Sequence, residues 1–295
     1  MSLALIERIA GVMVPVLAMV LAGYLYARRH APDMSEINRI NMELFAPALI
    51  FSALASRDFN LHDNRWLMLA SVLIVLGSGL LAWALAAALR LPPRTFVPPM
   101  MFNNCGNMGL PLAVLAFGGP GLAPMVAMFV VSNAIHFTIG ARIVDPRAPV
   151  ARLLATPMNL ATVAGVLVAL VDPPRPEVIR DSLELLGRAM IPLMLFALGV
   201  RMVSVSRASV RIGLLGAVVC PLTGLAVALA IEPLLPLTDT QRGLMFIFAV
   251  LPPAVLNFMV AERYGRDPGK VAAIVLVGNL LSIVFVPLGL ALALA

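Results

Sequence analysis

The sequence predicts an all-α membrane protein of ten transmembrane helices in two inverted repeats of five, with the fourth and ninth helices interrupted. Three observations predict it. The chain is 61% apolar and 12% charged over 295 residues, with a mean hydropathy of +0.98, more apolar surface than a soluble core of this size uses. Ten apolar stretches, each about the 20 residues that a helix needs to cross hydrocarbon, alternate with short charged or Pro/Gly-bearing joints. The order of features in the first five stretches recurs in the last five.

The spans centre on Val14, Ile50, Val75, Asn107, Val130, Ala164, Met194, Val219, Pro252 and Phe285. The first reads as a retained helix and not a cleaved leader. Glu7-Arg8 gives no net positive leader, and Arg28-Arg29 follows the apolar run. The second carries Phe45-Ala46-Pro47-Ala48-Leu49-Ile50-Phe51, matched in the seventh by Met190-Ile191-Pro192-Leu193-Met194-Leu195-Phe196. The fourth is expected to break at Pro111 and the ninth at Leu251-Pro252-Pro253-Ala254. The fifth holds Ser132-Asn133 and the tenth Gly278-Asn279, so the matched features are offset by 141 to 146 residues. Pro47 and Pro192 read as kinks.

Five spans per repeat is an odd number, so the halves enter the membrane from opposite sides. Residues 1–143 form the first repeat and 157–295 the second, joined by a cytoplasmic linker at 144–156. Fourteen of the 21 Arg and Lys fall in loops on one side: Arg28, Arg29, Arg39, Arg90, Arg94, Arg142, Arg147, Arg152, Arg201, Arg207, Arg211, Arg263, Arg266 and Lys270. The other side holds Arg8, Arg57, Arg65, Arg175, Arg180, Arg188 and Arg242. The richer side is expected to be cytoplasmic, which puts both termini on the extracytoplasmic side of the inner membrane. Topology accounts for the basic residues, and no nucleic-acid partner is expected.

Paired Pro/Gly-interrupted spans at corresponding positions of inverted halves point to a transporter's binding site. The run Asn103-Asn104-Cys105-Gly106-Asn107-Met108-Gly109-Leu110-Pro111 carries the strongest signal, because irregular backbone survives at membrane depth only inside protein or along a polar cavity. A broken helix leaves a half-helix N-terminus whose free N–H groups suit an anion. Asn104 and Asn107, three apart, share a side and are the first and second candidates for substrate contact. Asn103 fits better a role on the carbonyls freed by Gly109 and Pro111. Asn257 in the ninth span and Asn133 in the fifth are further candidates, with Gly106, Gly109, Pro111, Pro252 and Pro253 as crossover backbone.

His136 is the one titrating group within a span; a neutral packing role is preferred for it, and coupling to protons stays open. No Asp, Glu, Lys or Arg sits near either break, so a carboxylate sodium site is not expected, although backbone carbonyls and amides are able to hold sodium. Met100, Met101 and Met108 beside the break read first as packing. Cys105 and Cys220 have neither disulfide nor metal spacing. The chain carries no G-x-x-x-x-G-K-[ST] run and no H-E-x-x-H motif, and His30, His62 and His136 are its only histidines. No enzymatic activity, cofactor or metal is expected.

The run Asn104 to Leu112 resembles the fourth-helix signature of the auxin efflux carrier family. Leu251-Pro252-Pro253-Ala254-Val255, followed by Ala261-Glu262-Arg263-Tyr264-Gly265, resembles its ninth-helix signature. The resemblance spans essentially the whole chain and is closest to bacterial members, often labelled malonate or auxin carrier-like, of the bile acid/auxin transporter superfamily. It implies a sodium/proton antiporter NhaA-like fold in which helices four and nine cross where they unwind, with a small organic anion bound nearby. It implies an elevator-like mobile domain moving against a scaffold, and a homodimer. It also makes Asn104, seven positions before Pro111, equivalent to an asparagine that contacts substrate in plant members. The long cytoplasmic loop of many plant members is absent. An anion channel, or a receptor for a small carboxylate, is the alternative reading.

Overall fold

A computed structural model describes residues 3–56, 59–148, 155–171, 176–201, 203 and 210–294. Among the described residues every regular element is a helix. The order is α1 (Leu3–His30), α2 (Ser35–Ile40), a π turn (Asn41–Phe45), α3 (Ala46–Leu54), α4 (Arg65–Ala88), α5 (Pro93–Met101), a π turn (Cys105–Gly109), α6 (Leu110–Phe117) and α7 (Gly119–Ile135). A third π turn (His136–Gly140), α8 (Ala141–Val144), α9 (Pro157–Val171), α10 (Glu177–Arg201), α11 (Val210–Ile231), a 3-10 turn (Glu232–Leu234), α12 (Asp239–Val250), α13 (Val255–Arg263) and α14 (Pro268–Leu294) follow. Among the described residues six helical segments are long and apolar enough to cross a membrane: Leu3–His30, Arg65–Ala88, Gly119–Val144, Glu177–Val200, Val210–Leu234 and Pro268–Leu294. The stretches centred on Ile50, Asn107, Ala164 and Pro252 fall on shorter helices or on helices interrupted part-way. Residues 149–154 of the linker, with Arg152, and Arg57, Arg175 and Arg207 lie outside the described residues.

Two of the prolines shape the helices in the same way. A π turn ends at Phe45, two residues before Pro47, and another at Gly109, two residues before Pro111. A proline ring clashes with the carbonyl one turn back, and the wider π turn opens that space. The helix around Pro111 is therefore continuous. The break expected there lies earlier, at Phe102 to Asn104, where the chain leaves helix. Pro192 sits inside α10 without interrupting it.

The helices pack in two groups. In one, α1 lies along α10, and α3 lies against both α9 and α10. Close approach of α1 to α10 rests on Gly23 and Gly199, where an added Cβ would overlap the Phe196 and Val20 carbonyls respectively. In the other group, α11 packs on α4, α5, α12 and α14, while α4 also meets α5 and α7. Phe96, Phe102, Phe246 and Phe248 are fully enclosed in its core. The start of α12 is fixed by a capping box: Thr238 accepts from the Gln241 N–H, and the Gln241 side chain accepts from the Thr238 N–H. Leu80, Leu160, Leu170 and Leu185 are each more than half exposed on the outside, as lipid-facing residues are. At one end of the bundle Arg8 Nη1 donates to the Leu294 carbonyl, placing the two chain ends together.

Candidate functional site

Both interruptions meet at one place. The chain leaves helix after Met101 and again after Val250, and the two extended pieces run antiparallel, with an isolated bridge between Asn103 and Pro253. The Asn104 N–H donates to the Pro252 carbonyl at 2.7 Å, and the Ala254 N–H donates to the Phe102 carbonyl at 2.8 Å. Each break thus supplies the acceptor that the other's freed donor requires, in a setting where hydrocarbon supplies none. Pro252 and Pro253 have no N–H to satisfy, so only their carbonyls call for partners.

Side-chain amides meet those demands. Asn103 Nδ2 donates to the Phe248 carbonyl at 2.6 Å. Asn257 Nδ2 reaches the Phe102 and Ala254 carbonyls at 2.8 and 3.0 Å. Asn279 Nδ2 donates to the Pro253 and Val275 carbonyls at 3.1 and 2.7 Å. Asn104 Nδ2 in turn donates to Asn279 Oδ1 at 2.8 Å, while the Asn104 carbonyl accepts from Met108 and Gly109. Helix α14 approaches closely because residue 278 is glycine: a Cβ there would stand 2.6 Å from Pro253 Cδ.

A cavity of about 880 Å³ lies beside this crossing, between the two helix groups. Its crossover wall includes Asn103, Asn104, Gly106, Asn107, Ser132, Asn133 and His136; its opposite wall includes Met42, Met158, Met190 and Met194. The lining runs out to exposed Ser35, Arg39 and Glu43. Among the described residues the Asn107 and Asn133 side chains have no hydrogen-bond partner. The amide N–H groups of Cys105, Gly106 and Asn107 open the first turn after the break and have no carbonyl one turn back. Val255 and Leu256 hold the same position at the start of α13, and both line the cavity. His136 is 3% exposed and stacks on Phe102, with ring centroids 4.0 Å apart, and its Nε2 has no partner. This arrangement offers free donors, amide side chains and no fixed charge at its deep end, a set of groups that suits hydrogen-bond acceptors on a small ligand.

A family model described as a membrane transport protein matches residues 9–151 and 149–290. The chain belongs to this family, the auxin efflux carrier family that its fourth- and ninth-span motifs resemble. It is also 29% identical, over an alignment of 311 residues, to the "Putative malonate transporter" of Rhizobium meliloti (strain 1021). That alignment covers 93% of this chain and 92% of the relative.

In this membrane transport chain the predicted residues separate by position. Asn103, Asn104, Gly106, Asn107, Asn133 and His136 line the cavity. Asn257 is buried beside the crossing but does not line it. Gly109, Pro111, Pro252 and Pro253 belong to the backbone around the crossing and are not among the lining residues. Asn279 was not singled out as a site residue, yet it joins the Asn104 side chain to the Pro253 carbonyl. Its signal was its place opposite Asn133 in the recurring pattern.

Proposed function

We propose that this protein is a secondary active transporter of small organic anions such as carboxylates, with the substrate held at the crossing of the broken helices. One observation carries the reading: two half-helix N-termini and the amides of Asn104 and Asn107 face one cavity between two helix groups. The full topology in this reading is ten transmembrane helices in two inverted repeats, 1–143 and 157–295 with the linker 144–156 between, in the NhaA-like manner. Both termini face the extracytoplasmic side of the inner membrane, and the protein works as a homodimer. The α4, α5–α8 and α11–α14 group moves elevator-like past α1–α3, α9 and α10, carrying Asn104 and Asn107 with it. Asn133 and His136 complete the polar wall around the substrate, while Asn103 and Asn257 hold the crossing together. Malonate is the first substrate to try, since the relative's name speaks of it. The site is able to take a proton or a sodium ion alongside the anion, through His136 or through carbonyls.

The test is counterflow of labelled carboxylates, malonate and indole acetate among them, in proteoliposomes with the native chain or Asn104→Ala. Saturable counterflow that the variant loses is the expected result. Flux that neither saturates nor exchanges points to a channel, and binding without flux to a receptor; either outcome removes the carrier reading.

A further inference from the structure

A second cavity lies away from the crossing, where the C-terminal part of α4, the start of α5, the third π turn with α8, and the joint between α13 and α14 come together. Its volume is about 970 Å³. Three arginines from three separate segments converge on it: Arg94, Arg142 and Arg266. Its lining contains one acid, Asp267, and that carboxylate is already engaged by Thr95 Oγ1 at 3.0 Å and by Lys270 Nζ at 3.3 Å. None of the three arginines forms an ion pair among the described residues. Arg266 Nε is enclosed by protein and has no hydrogen-bond partner. Guanidinium groups without a protein acceptor suit an anion, which takes charge-assisted hydrogen bonds from their remaining N–H groups.

The remaining wall is apolar: Trp83, Pro92, Pro93, Ile139 and Ile143. Trp83 and Ile139 are each close to half exposed, and Leu80 and Leu81, one turn or less before Trp83 on α4, are exposed as well. Tryptophan at the end of an apolar helix marks headgroup depth, and basic pockets between such helices suit anionic headgroups. Basic groups suit the charge of such a headgroup, and an apolar wall suits the chain attached to it. An inorganic ion uses only the first of these features.

We propose that this cavity binds the phosphodiester headgroup of an anionic phospholipid, with Arg94, Arg142 and Arg266 around the phosphate and the glycerol and upper acyl chain against Trp83 and Ile139. The proposal does not rest on transport, and its test needs no flux. The chain has two tryptophans, so Trp66→Phe leaves Trp83 as the sole emitter. This single-tryptophan protein in mixed micelles is titrated with doxyl-labelled phosphatidylglycerol or doxyl-labelled phosphatidylcholine. Quenching of Trp83 by the anionic lipid is expected at about tenfold lower mole fraction or less, as several cationic contacts imply. Arg94→Gln/Arg142→Gln/Arg266→Gln is expected to bring the two lipids level, while Arg147→Gln, exposed and outside the cavity, keeps the preference. Equal quenching by the two lipids in the Trp66→Phe protein overturns the site. A folded triple variant that retains the preference overturns the assignment to these arginines, and the single Arg266→Gln decides the same point if the triple variant does not fold. Loss of the preference on adding inorganic phosphate overturns the lipid assignment in favour of a soluble anion.

Discussion

The two broken helices have matching backbones and different side chains. Each contributes an extended piece to the same antiparallel crossing, and each resumes as a helix whose first N–H groups lie on the cavity. The first break surrounds its N-terminus with Asn103, Asn104 and Asn107. The second presents Ala254, Val255 and Leu256 there, and turns its asparagine, Asn257, back onto the Phe102 and Ala254 carbonyls. Matching backbones thus supply two dipole ends, while the polar side chains on the cavity come mainly from one of them. Interruption at membrane depth has to be stabilised whether or not it binds anything, and the second break is occupied largely with that task.

Replacing residues on each side separates holding from binding. The largest expected effect is that of Asn104→Ala, which removes a cavity amide and also its bond to Asn279. Substrate affinity is expected to fall by about 10- to 100-fold, the worth of a hydrogen bond to a charged ligand, read as the half-saturation concentration in counterflow. Gly278→Val comes next, because its side chain would meet Pro253. Overpacking of this kind costs about 1–3 kcal/mol, seen as a lower melting temperature in detergent. Asn257→Leu leaves the Phe102 carbonyl with one donor fewer and is expected to cost about 1–2 kcal/mol of stability, with affinity unchanged in the protein that folds. The smallest effect is that of Met194→Leu on the far wall, a near-isosteric change expected to cost less than about 1.5 kcal/mol and to leave substrate selectivity in place.

Much of this arrangement was legible in the residues. A cluster of asparagine, glycine and proline inside an apolar stretch can be read directly, and so can Pro252-Pro253, because both depend on local backbone chemistry. Pro111 misled as the point of interruption: proline is a helix breaker by rule, but a π turn accommodates it, and the extended residues lie eight positions earlier at Asn103. The division of labour among the asparagines was only partly legible. Whether an amide faces a cavity or a carbonyl depends on the helix packed opposite, and that is set by long-range contacts such as Asn257 with Phe102 and Asn104 with Asn279. Met42, Met158, Met190 and Met194 come from three distant segments, so no local pattern announces that they share a wall.

The central claim is that the first break binds and the second holds. It is tested most directly by measuring melting temperature and equilibrium substrate binding together on Asn107→Ala and Asn257→Ala, using the carboxylate that counterflow identifies. The Asn107 side chain has no partner among the described residues, whereas Asn257 Nδ2 has two. The account predicts that Asn107→Ala loses affinity at an unchanged melting temperature and that Asn257→Ala loses stability at an unchanged affinity. The opposite pairing, or equal loss of affinity in both, contradicts it.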